Sequence, residues 1–282
     1  MSHSTLEASL VHNATTAAIL ALIVLGFGIR SADADETDEA SGSADTWHLA
    51  AGVGAMNGPR YPGSRDYFTH VLPVVSVQYG RYFLGGLPGT GSAVGLGAFL
   101  VRNEHWQMGV SLGGAIRKPR RASDDPVLHG WGDIAATERG NVFANYINDW
   151  FVVHGDVSAD IGGKHEGVLA SLSLEGRFHP MERLTLSFGP EITWADTKYS
   201  QTFFGIDAAQ SVIAGIPQYT AKSGINTLGV TLGADYRLTS HWSVGTHASY
   251  GRLQGDAADS PVTTDKTQYM MGAFVMYRFG KQ

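Results

Sequence analysis

The stretch T-Q-Y-M-M-G-A-F-V-M-Y-R-F, Thr267–Phe279, decides how the chain is read. Its odd positions, Tyr269, Met271, Ala273, Val275, Tyr277 and Phe279, are all apolar or aromatic. Between them fall Gln268, Gly272 and Arg278, but also Met270, Phe274 and Met276. Period-2 alternation places successive side chains on opposite faces of a strand. A tilted strand of about 9–11 residues spans a hydrocarbon layer, and aromatics near strand ends suit the membrane–water interface. Counting from Phe279, the odd positions face lipid, whereas Phe274 and Met276 point inward and pack the lumen. A soluble β-sandwich ends on similar strands, so the rest of the chain has to repeat the pattern.

It does. Residues 106–117 set Trp106, Met108, Val110, Leu112 and Ile116 against Gln107, Gly109, Ser111, Gly113 and Arg117. Residues 168–178 set Val168, Ala170, Leu172, Leu174 and Phe178 against Ser171, Ser173, Glu175 and Arg177. Residues 184–193 oppose Leu184, Leu186, Phe188 and Ile192 to Thr185, Ser187 and Glu191. Residues 228–236 and 242–253 continue the series, and shorter strands are expected near 81–85, 93–102 and 141–146. Residues 47–53, 68–79 and 150–161 also alternate, with Pro73 expected to mark a bulge because proline cannot donate to a ladder. From Trp47 on, no segment has helical periodicity. Sandwich strands are usually about 5–6 residues long, and these approach twice that.

The connections alternate in length. Those at 102–105, 179–183 and 238–241 are short, and those at 118–141, 195–224 and 254–266 are long. Outer-membrane barrels join strands by short periplasmic turns and longer external loops. The fold expected is all-β, a transmembrane antiparallel up-and-down barrel of about twelve strands, closed by pairing 267–279 with 47–53. Trp47, Trp106, Trp150, Trp194, Trp242, Tyr236 and Tyr277 fit two interfacial girdles. The loop 195–224 contains Tyr199, Phe203, Phe204, Ile213, Ile216 and Tyr219. It is too apolar to be disordered, and is expected to fold inward or cap the barrel.

Composition agrees. Only 16% of the 282 residues are charged, against 36 glycines and 29 aromatics (11 Tyr, 12 Phe, 6 Trp), and soluble domains carry about 25% charged residues. Mean hydropathy is -0.06, because lumen-facing and lipid-facing residues cancel. The formal net charge of -6 argues against a nucleic-acid partner. With no cysteine, no disulfide or thiolate site exists. The apolar run at residues 17–27, followed by Ala32-Asp33-Ala34, predicts a secretory signal peptide over residues 1–34, although residues 1–16 hold no Lys or Arg. Residues 35–46 are expected to be a flexible lead-in, and residues 47–282 the barrel.

Candidate chemistry is sparse. His154, Asp156 and Asp160 share the polar side of one strand. They could belong to a metal site or an acid–base pair of a barrel hydrolase, but alternate residues on a strand lie about 7 Å apart, and a wet lumen wall accounts for them better. Glu175, Arg177, Glu191 and Asp235 face inward as strand ties or lumen lining. Arg117-Lys118-Pro119-Arg120-Arg121 could meet lipopolysaccharide or be a solvated loop, with Asp124 and Asp125 close behind. There is no G-x-S-x-G, H-E-x-x-H or phosphate loop. No catalytic, cofactor-binding or metal residue is assigned.

Seven segments are more distinctive: Gly58-Pro59-Arg60-Tyr61-Pro62-Gly63-Ser64, Leu128-His129-Gly130-Trp131-Gly132-Asp133-Ile134, Gly162-Gly163-Lys164-His165-Glu166-Gly167, Thr202-Phe203-Phe204-Gly205-Ile206, Ile216-Pro217-Gln218-Tyr219, Ser223-Gly224 and Asp256-Ala257-Ala258-Asp259-Ser260-Pro261. In this order they resemble the MipA/OmpV family of outer-membrane proteins over residues 47–279. The resemblance implies a non-enzymatic scaffold in the outer membrane, linking a membrane-bound lytic transglycosylase to a bifunctional murein synthase in cell-wall assembly. It transfers no catalytic residue and implies no cofactor. The alternative is a narrow channel for small solutes.

Overall fold

The computed structural model describes residues 47–85, 95–114, 118–164 and 166–280. The expected signal peptide and lead-in, together with Ile116, Arg117 and His165, lie outside the described residues.

Twelve antiparallel strands close into one barrel: β1 (Trp47–Pro59), β2 (Tyr67–Tyr79), β3 (Tyr82–Gly85), β4 (Gly95–Arg102), β5 (Trp106–Gly114), β6 (Glu138–Ile147), β7 (Phe151–Asp160), β8 (Val168–Met181), β9 (Leu184–Ala195), β10 (Gly224–Arg237), β11 (Trp242–Leu253) and β12 (Thr267–Phe279). β1 and β12 pair from Leu49↔Phe279 to Asn57↔Met271. That seam joins the first strand to the last and closes the ring, as a hydrocarbon environment demands.

Alternation is realised as expected. On β5, Trp106, Val110 and Leu112 are exposed toward lipid, and Gly109 and Ser111 are buried inside. On β12, Tyr269, Met271 and Val275 are exposed, whereas Phe274 and Met276 are buried with Val74. β6, the strand with the weakest signal, is complete and keeps the number even.

Three expectations need correction. Pro73 makes no bulge: β1 and β2 stay in unbroken register through Val53↔Pro73. Its missing N–H is tolerated because β2's other edge is paired, among the described residues, only from Val77 to Tyr79. Register shifts fall instead at 99/101, 178/181 and 225/227. Helices also exist, all in the long loops: α1 (Thr197–Phe204), α2 (Ala208–Ala214) and α3 (Gly255–Asp259). At eight residues or fewer they are too short to show a 3.6-residue period. The girdle is uneven as well. Trp47, Trp106, Trp150, Trp242 and Tyr277 gather at the short-turn end, with Trp242–Tyr277 and Trp106–Tyr146 rings 5.1 Å apart. Trp194 and the Tyr250–Tyr269 pair mark the other end.

Candidate functional site: the lumen and its cap

The lumen has two unlike halves. Around β12, β2, β3, β4 and β6 it is apolar, with Val74, Phe274 and Met276 in one cluster and Phe83, Phe143 and Phe99 in another. Inward glycines make room for the rings. A Cβ on Gly109 would lie 2.6 Å from the Phe143 ring, and one on Gly245 would overlap Phe274. The Phe143 and Phe274 rings thus occupy space that these glycines leave on neighbouring strands.

From β7 to β11 the inner face is polar, and polar lining extends onto β6 and β5 on either side of Phe143. His154 Nδ1 lies 3.1 Å from Asn145 Oδ1 on the neighbouring strand. Asn141 donates to Ser111 Oγ at 3.2 Å. Glu175 and Arg177 pair at 2.6 Å within one strand, so this ion pair ties no strands together. His247 and Asp235 meet across β10 and β11 at 3.3 Å. Asp160 sits higher, at the rim, where it accepts from Thr137 Oγ1 (2.6 Å) and from the Glu166 backbone (3.0 Å). His154 and Asp160 of β7 thus bond to different partners, and Asp156 between them has no hydrogen-bond partner for Oδ1. Among the described residues no group of three His, Asp or Glu is placed to hold a metal. These residues were legible as inward-facing; their partners were not, because register between strands selects them.

At the long-loop end four loops meet. Asp196 and Asp207 cap α1 and α2, accepting from the Tyr199 and Gln210 backbones, with Gln210 returning the bond to Asp207. These caps satisfy helix N–H groups that have no partner of their own. Tyr199, Phe203 and Phe204 of α1 pack on Ala195 and Leu253 at the strand ends, on Ala257 and Ala258 of α3, and on Ile134 of the β5–β6 loop. Alongside, Tyr61, Leu128, Trp131, Ile206 and Val262 make a second core drawn from all four loops. Hydrogen bonds join the same partners: Ser260 Oγ to Phe204 O (2.6 Å), Gln210 Nε2 to Trp131 O (3.0 Å) and Tyr219 OH to Asp256 O (2.9 Å). The loop 195–224 therefore caps the barrel, as its apolar residues foretold.

The basic run is not a free patch. Arg120 is 3% exposed and donates from Nη1 to Phe203 O at 2.9 Å. Burial pushes its guanidinium down to about 10, still charged at neutral pH. Lys118 pairs with Asp133 at 2.6 Å. Asp124 and Asp125 accept backbone N–H bonds from Arg121 and Val127, shaping this loop from within.

Below the cap lies a rim cluster that sequence reading missed as a site. Glu166, 3% exposed, has Oε2 at 3.6 Å from Arg139 and no partner for Oε1. Burial pushes its carboxyl up to about 7; Arg139 opposes this and Asp160 adds to it. Burial likewise raises the Tyr199 phenol, with Arg139 opposing and Glu166 reinforcing, so α1 sits within electrostatic reach of the rim. Gly167 allows the contact: it adopts φ +66°, and a Cβ there would run into the Tyr199 backbone.

Comparison with known proteins places this geometry. The family model described as MltA-interacting protein MipA matches residues 51–279. YiaT of Escherichia coli (strain K12), an outer membrane protein by name, is 23% identical, over 84% of this chain and 93% of its own. The MltA-interacting protein of the same organism is 21% identical, over 92% of this chain and 99% of its own. Among solved structures, an outer membrane channel from Pseudomonas putida F1 superposes with a TM-score of 0.47 at 13% identity, covering 86% of this chain and 100% of that one. The NanC porin gives 0.43 at 8% identity, over 82% and 100%.

Proposed function

Because this chain belongs to the MipA family of MltA-interacting proteins, we propose that it is a non-enzymatic interaction platform of the outer membrane. In this reading it holds a murein lytic transglycosylase and a bifunctional murein synthase together in cell-wall assembly. One observation carries the choice of platform over pore: four external loops share a buried core across the mouth. A barrel closed in this way suits an anchor better than a conduit. The separate bonding of His154 and Asp160, with no bond joining either to Asp156, supports the absence of catalysis. The name of the Escherichia coli relative, MltA-interacting protein, supports the choice of partner. The membrane contact is lipid along the exposed strand faces. With Arg120 turned inward and Lys118 paired, the basic run offers lipopolysaccharide little.

Affinity capture from envelope extracts tests the platform, with recovery of murein hydrolase and synthase as the expected result. Robust open channels from purified protein, with no murein enzyme captured, would overturn it. A narrow channel for small solutes is the second reading, favoured by the partly exposed polar inner face of β8 to β11. Planar-bilayer conductance separates the two.

A further inference from the structure

Asp156 projects into the lumen from the middle of β7, is 7% exposed, and has no hydrogen-bond partner for Oδ1. A buried carboxylate oxygen left alone is costly, and charged groups at membrane depth ordinarily find a partner. The nearest guanidinium is already engaged: Arg139 donates to Ser158 Oγ at 2.7 Å and to Ser158 O at 2.8 Å, and faces Glu166 at 3.6 Å. A second carboxylate lies within electrostatic reach. Glu191, inward on β9, stands across β8 level with His154, two residues along β7 from Asp156, and makes no ion pair among the described residues. Of the nearby lumen groups, Arg177 is held by Glu175, His247 meets Asp235, and His154 has its Nδ1 beside Asn145 Oδ1.

Register sets what surrounds the pair. Phe143 stands directly across from Asp156 on β6, with Phe83 and Phe99 around it at ring distances of 6.1 and 5.9 Å. On the other side Asp156 pairs with Ser171 and Glu191 with Ser173, both on β8, so hydroxyls stand between the two carboxylates. Carboxylates, hydroxyls and an aromatic wall are the groups that recognise an ammonium ion, through charge-assisted hydrogen bonds and through the ring face. Because no three-ligand set for a metal is present among the described residues, the chemistry favours an organic cation over a chelated one.

We propose that the lumen holds a cation-binding site, formed by Asp156 and Glu191 with Ser171, Ser173 and Phe143, that takes a primary-ammonium solute. The site does not require the lumen to conduct, and it stands whether the barrel is a platform or a channel.

The test is calorimetric titration of the full mature barrel, folded in detergent, with cadaverine as probe. Sodium and magnesium chloride at matched ionic strength serve as controls. Saturable binding of about one cadaverine per chain is expected, weakened about tenfold or more in Asp156→Asn and in Glu191→Gln, as loss of a charge-assisted bond predicts. Both variants should keep the heat-modifiable gel shift of a folded barrel. Glu138→Gln, at the exposed start of β6, should bind like wild type. Three results would overturn the proposal: no saturable cadaverine binding, binding in both carboxamide variants as tight as in wild type, or magnesium displacing cadaverine at equal concentration. Capture of murein enzymes is scored separately, so failure here leaves the platform reading untouched.

Discussion

Replacing Phe204 by Ala tests whether the cap is a packed lid or loose loop. The ring is fully buried, at 0% exposure, among Tyr199, Phe203, Ala221, Leu253 and Ala257. Its backbone carbonyl still accepts from Ser260, so the substitution removes packing and spares that hydrogen bond. Truncating a buried Phe to Ala costs about 3–5 kcal/mol, the lost transfer energy plus the cavity. The strands keep their own ladders, so the cost should fall on local opening of the cap rather than on the barrel. At 1.4 kcal/mol per decade, the open population rises about 10²- to 10³-fold. Limited trypsin digestion of the folded protein reads this out, since Lys198 and Lys222 lie exposed in the capping loop. Where opening is fast relative to cleavage, the rate follows the open population. Cleavage at these lysines should therefore accelerate by about two orders of magnitude, with the gel shift on boiling unchanged. A cleavage rate within about twofold of wild type would refute a load-carrying core, and loss of the folded band would refute a cap separable from its barrel.

Other perturbations probe the remaining parts. Glu166 has its pKa raised to about 7 by burial, so the folded rim binds a proton that the unfolded chain releases near pH 4.5. That contribution is fully present below about pH 4.5 and is lost as pH rises through about 7. The hydrogen-exchange protection of the Tyr199 amide, taken relative to its intrinsic base-catalysed rate, should fall between pH 5 and 8, and Glu166→Gln should flatten that fall; an unaltered slope in the variant would place the titration elsewhere. Gly109→Val drives a side chain into the Phe143 ring and should cost about 1–3 kcal/mol of overpacking, measured by urea unfolding in lipid. A neutral result there would mean that the ring has room to move. Val230→Arg, on the exposed lipid face of β10, should destabilise by about 2–4 kcal/mol near mid-membrane, whereas Thr231→Arg, pointing inward, should cost much less. Equal costs would invert the assignment of faces. Asp207→Ala removes the capping box of α2 and should lower local stability by about 1 kcal/mol, visible as faster exchange at the Gln210 amide. An unchanged rate would show that the box contributes nothing.

The alternating residues of Thr267–Phe279 settled a good deal before any coordinates. A strand's period is 2 whatever it pairs with, so lipid and lumen faces, the inward Phe274 and Met276, and the closing partner at β1 could all be read along the chain. Loop lengths told the two ends apart for the same local reason. The capping loop was legible in its excess of apolar residues, although the helices within it, capped by Asp196 and Asp207, were too short to announce themselves. Only the tertiary structure decided who meets whom. Register across strands gave His154 to Asn145 and left Asp156 without a partner for one oxygen. The meeting of four distant loops turned Arg120 from an apparent surface charge into a buried strut beneath Phe203. Pattern along a chain reports which face a residue takes, because that depends on its own backbone. Partners depend on stagger and closure summed over the whole barrel, and no single stretch of sequence contains that sum.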